Sequence, residues 1–202
     1  DANSQELLHV AATQLLYINY NDATTRETIN KINPSLQFTD ITDASQLNYT
    51  HIENDYDDYL REFVLPHKMS TNGPSMACGD VDGNGLDDIY FGGSIGHKGK
   101  LFLQKSPHQF IPGNNNFELS GNTDDGGVLI FDADGDKDND IYISSGGNEL
   151  PAFDKGYNDR LYINDGDGNF KLNNNALPEM PFPKSCILAC DFDKDGDEDV
   201  FV

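Results

Sequence analysis

The stretch GDVDGNGLDDIYFGG, residues 79 to 93, sets four aspartates (Asp80, Asp82, Asp87, Asp88) within nine positions and then turns into an apolar, aromatic run. Carboxylates that close repel one another, so something must hold them together. Two more copies follow, FDADGDKDNDIYISSGG from Phe131 and CDFDKDGDEDVFV from Cys190 to Val202. Over the same nine positions the copies carry four, five and six acids, so 15 of the 35 acids stand at bends bounded by apolar runs. That placement marks cation sites rather than a solvated acidic tail.

More than the bends repeats. Before them lie PSMACG, GGVLIF and KSCILAC, and after them DIYFGG, DIYISSGG and DVFV. The first two copies continue with LFLQ (Leu101 to Gln104) and LYIN (Leu161 to Asn164), then FEL (Phe117 to Leu119) and FKL (Phe170 to Leu172). Each unit thus reads as four short strands. Loop starts stand 52 and then 59 residues apart, which places an insertion at NELPAFDKGYND, residues 148 to 159. Four-strand units at this period predict an all-β fold of β-propeller blades, each a small antiparallel sheet with an aspartate loop between its first and second strands. The blades are expected over 73–122, 123–180 and 181–202, the last truncated, so the ring is incomplete and the chain is expected to be a piece of a longer protein. Residues 1–21, with QELLHVAATQLLYINYN read as two strands around a turn, are expected to close a preceding β domain. Residues 22–72 read as a linker and an acidic, aromatic lead-in that covers part of the first blade.

The chain has 202 residues and a formal charge of -22, with 13 Lys and Arg against 35 acids. Partners held through phosphates need clustered cations, so nucleic acid and anionic membrane surfaces are not expected. No apolar run reaches the roughly 18 residues that cross a bilayer, and no signal peptide is visible. The chain opens on Asp1 rather than Met, so upstream sequence is expected either to have been processed away or to lie outside this stretch. Cys78, Cys186 and Cys190 suggest no disulfide framework and are expected to be small buried thiols in core strands.

In each loop oxygen-bearing residues fall at the first, third, fifth and ninth positions, and the seventh can add its backbone carbonyl. Loop one offers Asp80, Asp82, Asn84, the carbonyl of Leu86, and Asp88. Loop two offers Asp132, Asp134, Asp136, the carbonyl of Asp138, and Asp140; loop three offers Asp191, Asp193, Asp195, the carbonyl of Asp197, and Asp199. An all-oxygen set in a flexible loop suits Ca2+ better than the strict octahedron of magnesium. Two carboxylates about 4 Å apart repel by roughly 4 kcal/mol at an effective dielectric of about 20, so such an ion acts as a folding cofactor. Three ions add six positive charges and take the formal charge from -22 to -16. Loop one, with Asn84 among its ligands, is expected to bind most weakly. An EF-hand shares the opening Asp-x-Asp-x-Asp-Gly but needs a bidentate Glu at position twelve, where this chain has Phe91, Ile143 and Val202.

These loops, with their trailing FGG and SGG, resemble the FG-GAP or VCBS repeats of integrin-like β-propellers. The runs HIENDYDDYLREFVLPHKMSTNGPSMACGDVDGNGLDDIYFGG, FDADGDKDNDIYISSGGNE, DRLYINDGDGNF and SCILACDFDKDGDEDVFV are similar to the ASPIC and UnbV proteins, relatives of cartilage acidic protein. In that family VAATQLLYINYNDA resembles the close of the ASPIC/UnbV domain, with a propeller after it. The resemblance implies a secreted, cell-surface or periplasmic protein with calcium-bearing blades and no established catalytic role.

Other segments read more plainly. GGSIGHKGK, residues 92 to 100, imitates a phosphate loop, but five residues separate Gly93 from Gly99 and Leu101 stands where Ser or Thr belongs, so it reads as a turn between strands. His51, Glu53, Asp55, Arg61 and His67 lack any catalytic spacing and are expected to pack the lead-in. The insertion could carry recognition, with Phe153 and Tyr157 able to stack on sugars. The expected function is a calcium-stabilised binding or adhesion scaffold for a protein or glycan, not an enzyme. The rival is a non-catalytic part of a secreted polysaccharide-active enzyme, and a third reading is a calcium switch. A pocket of converging acids with raised pKa would favour the enzyme, and a flat aromatic rim would favour binding.

Overall fold

The computed structural model describes Asn3–Ser4, Thr24–Thr25, residues 39–114 and residues 116–202. The chain divides into two compact units, Asp1–Asp40 and Ile41–Val202. In the first, β1 (Asn3–Ser4) pairs antiparallel with β2 (Thr24–Thr25). The strand pair expected over residues 5–21 lies outside the described residues.

The second unit carries two four-stranded antiparallel sheets. Sheet one runs β3 (Met76–Gly79), β4 (Asp88–Phe91), β5 (Lys100–Ser106) and β6 (Gln109–Pro112), in that spatial order. Sheet two runs β7 (Asp124–Phe131), β8 (Asp140–Gly146), β9 (Arg160–Asn164) and β10 (Phe170–Leu172). A third pair, β11 (Leu188–Cys190) with β12 (Asp199–Phe201), repeats the first hairpin of each sheet. Register is the same in all three, because the residue before each loop faces the loop's ninth residue: Gly79 with Asp88, Phe131 with Asp140 and Cys190 with Asp199. Helix is confined to one turn at Thr42–Ser45 and two 3-10 turns at Asp58–Leu60 and Lys155–Tyr157 among the described residues.

One strand is not where the repeat placed it. FEL, Phe117 to Leu119, forms no strand, and the fourth strand of sheet one is β6. The reason is the two-residue turn after Ser106, where His108 takes a φ of 66° and returns the chain at once. Phe117 then becomes a plug, 1% exposed, with its ring 5.0 Å from Tyr90 of sheet one and 5.2 Å from Tyr162 of sheet two. Around it Val81, Leu101, Ile141 and Ile143 complete the larger core cluster. The sheets approach so closely that a β-carbon on Gly79 would lie 2.6 Å from Ile130 Cγ2, so only glycine fits there.

The cysteines also depart from expectation, since Cys78, Cys186 and Cys190 are all exposed. On β3 the side chains alternate, and it is Ala77 and Gly79 that face inward while Met76 and Cys78 face out.

The lead-in lies on sheet one. Tyr49 stacks on Phe91 at 4.2 Å, its hydroxyl donates to the Gly92 carbonyl, and Ser94 Oγ donates to the Ile52 carbonyl at 2.6 Å. Buried Asp58 closes the next bend by accepting from Met69 N, Ser70 N and Ser70 Oγ. Removing the ring in Tyr49→Ala is expected to cost about 2 kcal/mol, from lost burial and stacking. Urea unfolding should show the loss, and limited proteolysis should show faster cutting within residues 41–72 while the sheet cores stay protected.

Candidate metal centres

The first two aspartate loops are shaped by their first residue. Asp80 accepts from Asn84 N at 3.1 Å and Gly85 N at 2.8 Å, and Asp132 accepts from Gly135 N at 2.8 Å and Lys137 N at 3.1 Å. The turn needs two residues of positive φ. Loop one supplies Gly83 (70°) and Gly85 (84°), loop two Gly135 (82°) and Lys137 (79°), and loop three Lys194 (64°) and Gly196 (102°). The lysines therefore adopt the conformation of the glycines they replace, at a cost of roughly 1–2 kcal/mol for each.

The ninth residue does more than the sequence assigned to it. Asp88 accepts from Val81 N at 2.9 Å and from Gln104 N of β5 at 2.7 Å, and Asp140 accepts from Ala133 N at 2.9 Å and from Asn164 N of β9 at 2.8 Å. Asp199 accepts from Phe192 N at 3.0 Å. Asp88 and Asp140 are fully buried. Burial raises both pKa values, against the pull of the two backbone donors, and the neighbouring aspartates raise them further.

Ligand atoms gather in each loop. Carboxylate oxygens of Asp80, Asp82 and Asp88 lie within 4.8 Å of one another, as do those of Asp132, Asp134 and Asp136, and those of Asp191, Asp193 and Asp195. The grouping differs from the uniform set read from the sequence, for Asp140 and Asp199 are not in their groups. In loop one Asn84 is engaged elsewhere, its Oδ1 accepting from Leu86 N at 2.8 Å and its Nδ2 donating to the Gln104 carbonyl at 2.9 Å. In loop two the Asp138 carboxyl is pushed up to about 6 by burial and by Asp136 and Asp140, and its Oδ1 is buried without a hydrogen bond.

Whether these residues fit a cation can be judged at Asp82. Its side chain is 6% exposed, one oxygen pairs with Lys105 Nζ, and Oδ1 is buried with no hydrogen-bond partner. A buried orphan acceptor costs about 1–3 kcal/mol, and here it sits beside two further carboxylates with no His or Cys in the set. That is the donor chemistry of a hard divalent ion.

The sequence did not disclose who supports loop one. Asn139 Nδ2 donates to the Asp80 carbonyl at 2.7 Å, and Asn164 Nδ2 donates to the Val81 carbonyl at 2.8 Å and to the Asn139 carbonyl at 2.9 Å. Both asparagines belong to sheet two, so its residues fix the backbone of a loop in sheet one. Their only sequence signal is position, just before the ninth residue of loop two and at the start of the NDGDGN turn.

The remaining candidates separate. GGSIGHKGK is the β4–β5 connection, closed by the Ser94–His97 bridge. His51 Nε2 bonds Glu53 Oε1 at 2.7 Å, whereas Arg61 reaches the carbonyls of Asn148 and Leu150, and Asp55 and His67 are exposed. Glu53 faces a cavity of about 520 Å³ with Asp124, Asp125 and Asn148 in its wall. There burial, then Glu149, Glu53 and Asp125, push the Asp124 carboxyl up to about 7. Much of the insertion is structural, since Tyr157 and Asp159 are buried and Lys184 pairs with Asp159 at 2.9 Å.

Two outcomes are expected. Lys137→Gly relieves the strained φ at the cost of a freer unfolded chain, for a net gain of about 1 kcal/mol in stability, read as a higher urea midpoint. In chelator, Asp124 and Asp138 bind protons more tightly folded than unfolded. Their contribution is full below the unfolded carboxylate pKa near 4 and is lost as pH rises through about 6 to 7. The melting temperature should therefore fall from about pH 4 to 7, and a flat or rising profile would contradict the assignment.

No curated protein matches the chain. A family model described as the FG-GAP-like repeat matches residues 69–143 and again 146–202, spanning both sheets, the third strand pair and all three loops. The chain belongs to the FG-GAP-like repeat family.

Proposed function

We propose that this chain is part of a calcium-stabilised β-propeller that works outside the cytosol, at the cell surface, in the periplasm or in the medium, as a binding or adhesion scaffold for a protein or glycan. The observation that carries the reading is the buried, unpartnered Asp82 Oδ1 inside an acidic loop whose hairpin register recurs three times. Ions at the three loops would neutralise clusters that otherwise repel, and millimolar calcium outside cells is enough for modest sites of this kind. Family membership supports an extracellular or envelope setting, and no helix among the described residues is long and apolar enough to cross a membrane. The closer likeness to ASPIC and UnbV proteins belongs to the same proposal.

Recognition is assigned to the insertion. Phe153 is 69% exposed, holds a φ of 65° that a bulky residue rarely adopts, and packs edge-on against exposed Phe182 at 5.4 Å. Strain kept at an exposed aromatic fits a contact surface better than a spacer. The rival reading is a non-catalytic part of a polysaccharide-active enzyme whose active site lies outside this chain; a different one, catalysis within the chain, is favoured by one observation, the cavity lined by Asp124, whose pKa is raised by burial and by nearby Glu149. Reducing ends released from a polysaccharide panel, and lost in Asp124→Asn, would favour that reading.

Calcium at a hundred times its Kd stabilises by about 2.7 kcal/mol for each site, so the melting temperature should rise on adding calcium and fall with chelator. A melting temperature indifferent to calcium would overturn the metal reading. A glycan and protein array probed with and without chelator tests the scaffold, and Phe153→Ala should weaken any captured ligand without lowering stability.

A further inference from the structure

Away from the aspartate loops, the lead-in and the segment after β8 meet around four half-buried residues, where Asn54 Nδ2 donates to Glu149 Oε1 at 2.7 Å and Glu53 and Asn148 line one cavity. Each of the four carries a buried oxygen with no hydrogen-bond partner, Glu53 Oε2, Asn54 Oδ1, Asn148 Oδ1 and Glu149 Oε2, and Asn148 Nδ2 is unpartnered as well. Their groups are held from the other side. Glu53 Oε1 bonds His51 Nε2 at 2.7 Å, and Glu149 Oε1 accepts from Asn54 Nδ2 at 2.7 Å. Arg61 Nη1 fixes the backbone between them, donating to the Asn148 carbonyl at 3.0 Å and the Leu150 carbonyl at 2.6 Å. No ion pair joins Arg61 to either glutamate among the described residues.

Each unsatisfied buried acceptor costs about 1–3 kcal/mol, and two of these belong to carboxylates, whose burial costs more. Water could donate to the oxygens but would leave Glu149 with no cation and Glu53 with only the His51 imidazole beside it. A divalent ion answers both needs, since two carboxylates balance its charge and two amide oxygens add neutral ligands of the type calcium accepts. Cations at the wall beside it are already engaged, Lys184 with Asp159 and Arg160 with the wall's Asp125. Asp124 lines the adjoining cavity with Glu53 and Asn148, its carboxyl raised by burial, Glu149 and Glu53. Gly147 leaves room for it, because a β-carbon there would lie 2.4 Å from Asp124 Oδ2.

We propose that this junction is a divalent-cation site separate from the aspartate loops, in which Glu53, Asn54, Asn148 and Glu149 hold a calcium-class ion that ties the lead-in to sheet two. The site uses no loop residue and does not depend on the loops holding ions.

The test is metal content of the whole chain after equilibration with buffered calcium, comparing the unaltered protein with Glu53→Gln/Glu149→Gln. These substitutions keep shape and remove charge, and one ion fewer per chain is expected. Equal content in the two proteins overturns the proposal. Anomalous scattering from crystals of the unaltered protein soaked in Tb3+ gives a second readout that needs no variant. A peak within about 2.5 Å of the four oxygens supports the site. Peaks at the aspartate loops with none at the junction overturn it, whereas a peak at the junction alone sustains it and counts against the loop reading instead.

Discussion

A buried carboxylate at the ninth position of the first two loops organises the structure around it. Asp88 and Asp140 each take one backbone N–H from within the loop and another from the third strand of their own sheet. Hydrogen bonds to a charged acceptor are stronger than neutral ones, about 1.5–3 kcal/mol each, and these two join the hairpin bend to the next strand over. Without that double acceptance the first hairpin would be free to slip against the third strand. The same residue faces the strand end before the loop in all three copies, so bend and register are set together.

Packing between the sheets rests on aromatic rings and on the absence of a side chain. Phe117 fills the space between Tyr90, Tyr162 and Phe170, while Gly79 lets β7 come close enough for Ile130 to cover it. Polar contacts then cross the same boundary through Asn139 and Asn164. The support of loop one is thus inter-sheet, and its aspartates are held where they are by a neighbour's side chains.

Electrostatics sets the other constraint. A formal charge of -22 is concentrated in a few places, and carboxylates there carry raised pKa values chiefly because they are buried and further because other carboxylates lie beside them. Buried cations do answer some of them, as where Arg160 pairs with Asp125 at 2.7 Å. The orphan oxygens of Asp82, Asp138, Glu53 and Glu149 have no hydrogen-bond partner, although Lys105 holds the other oxygen of Asp82 and His51 the other oxygen of Glu53. Those are the places at which metal binding is proposed.

The repeated hairpins, the four-strand units and the loop aspartates were all legible in the sequence, because alternation, turn glycines and ligand spacing are local properties that survive without neighbours. Even the awkward Lys137 and Lys194 could be placed at glycine positions by register alone, although only the structure shows them at positive φ. Phe117 was read wrongly, since FEL looks like FKL until the tight turn after Ser106 decides which segment reaches the sheet edge. The double role of Asp88 and Asp140, the asparagines that brace loop one, and the meeting of Glu53 with Glu149 have no local signature. They join residues dozens of positions apart, and chain spacing says nothing about such a pair until the sheets pack and bury it.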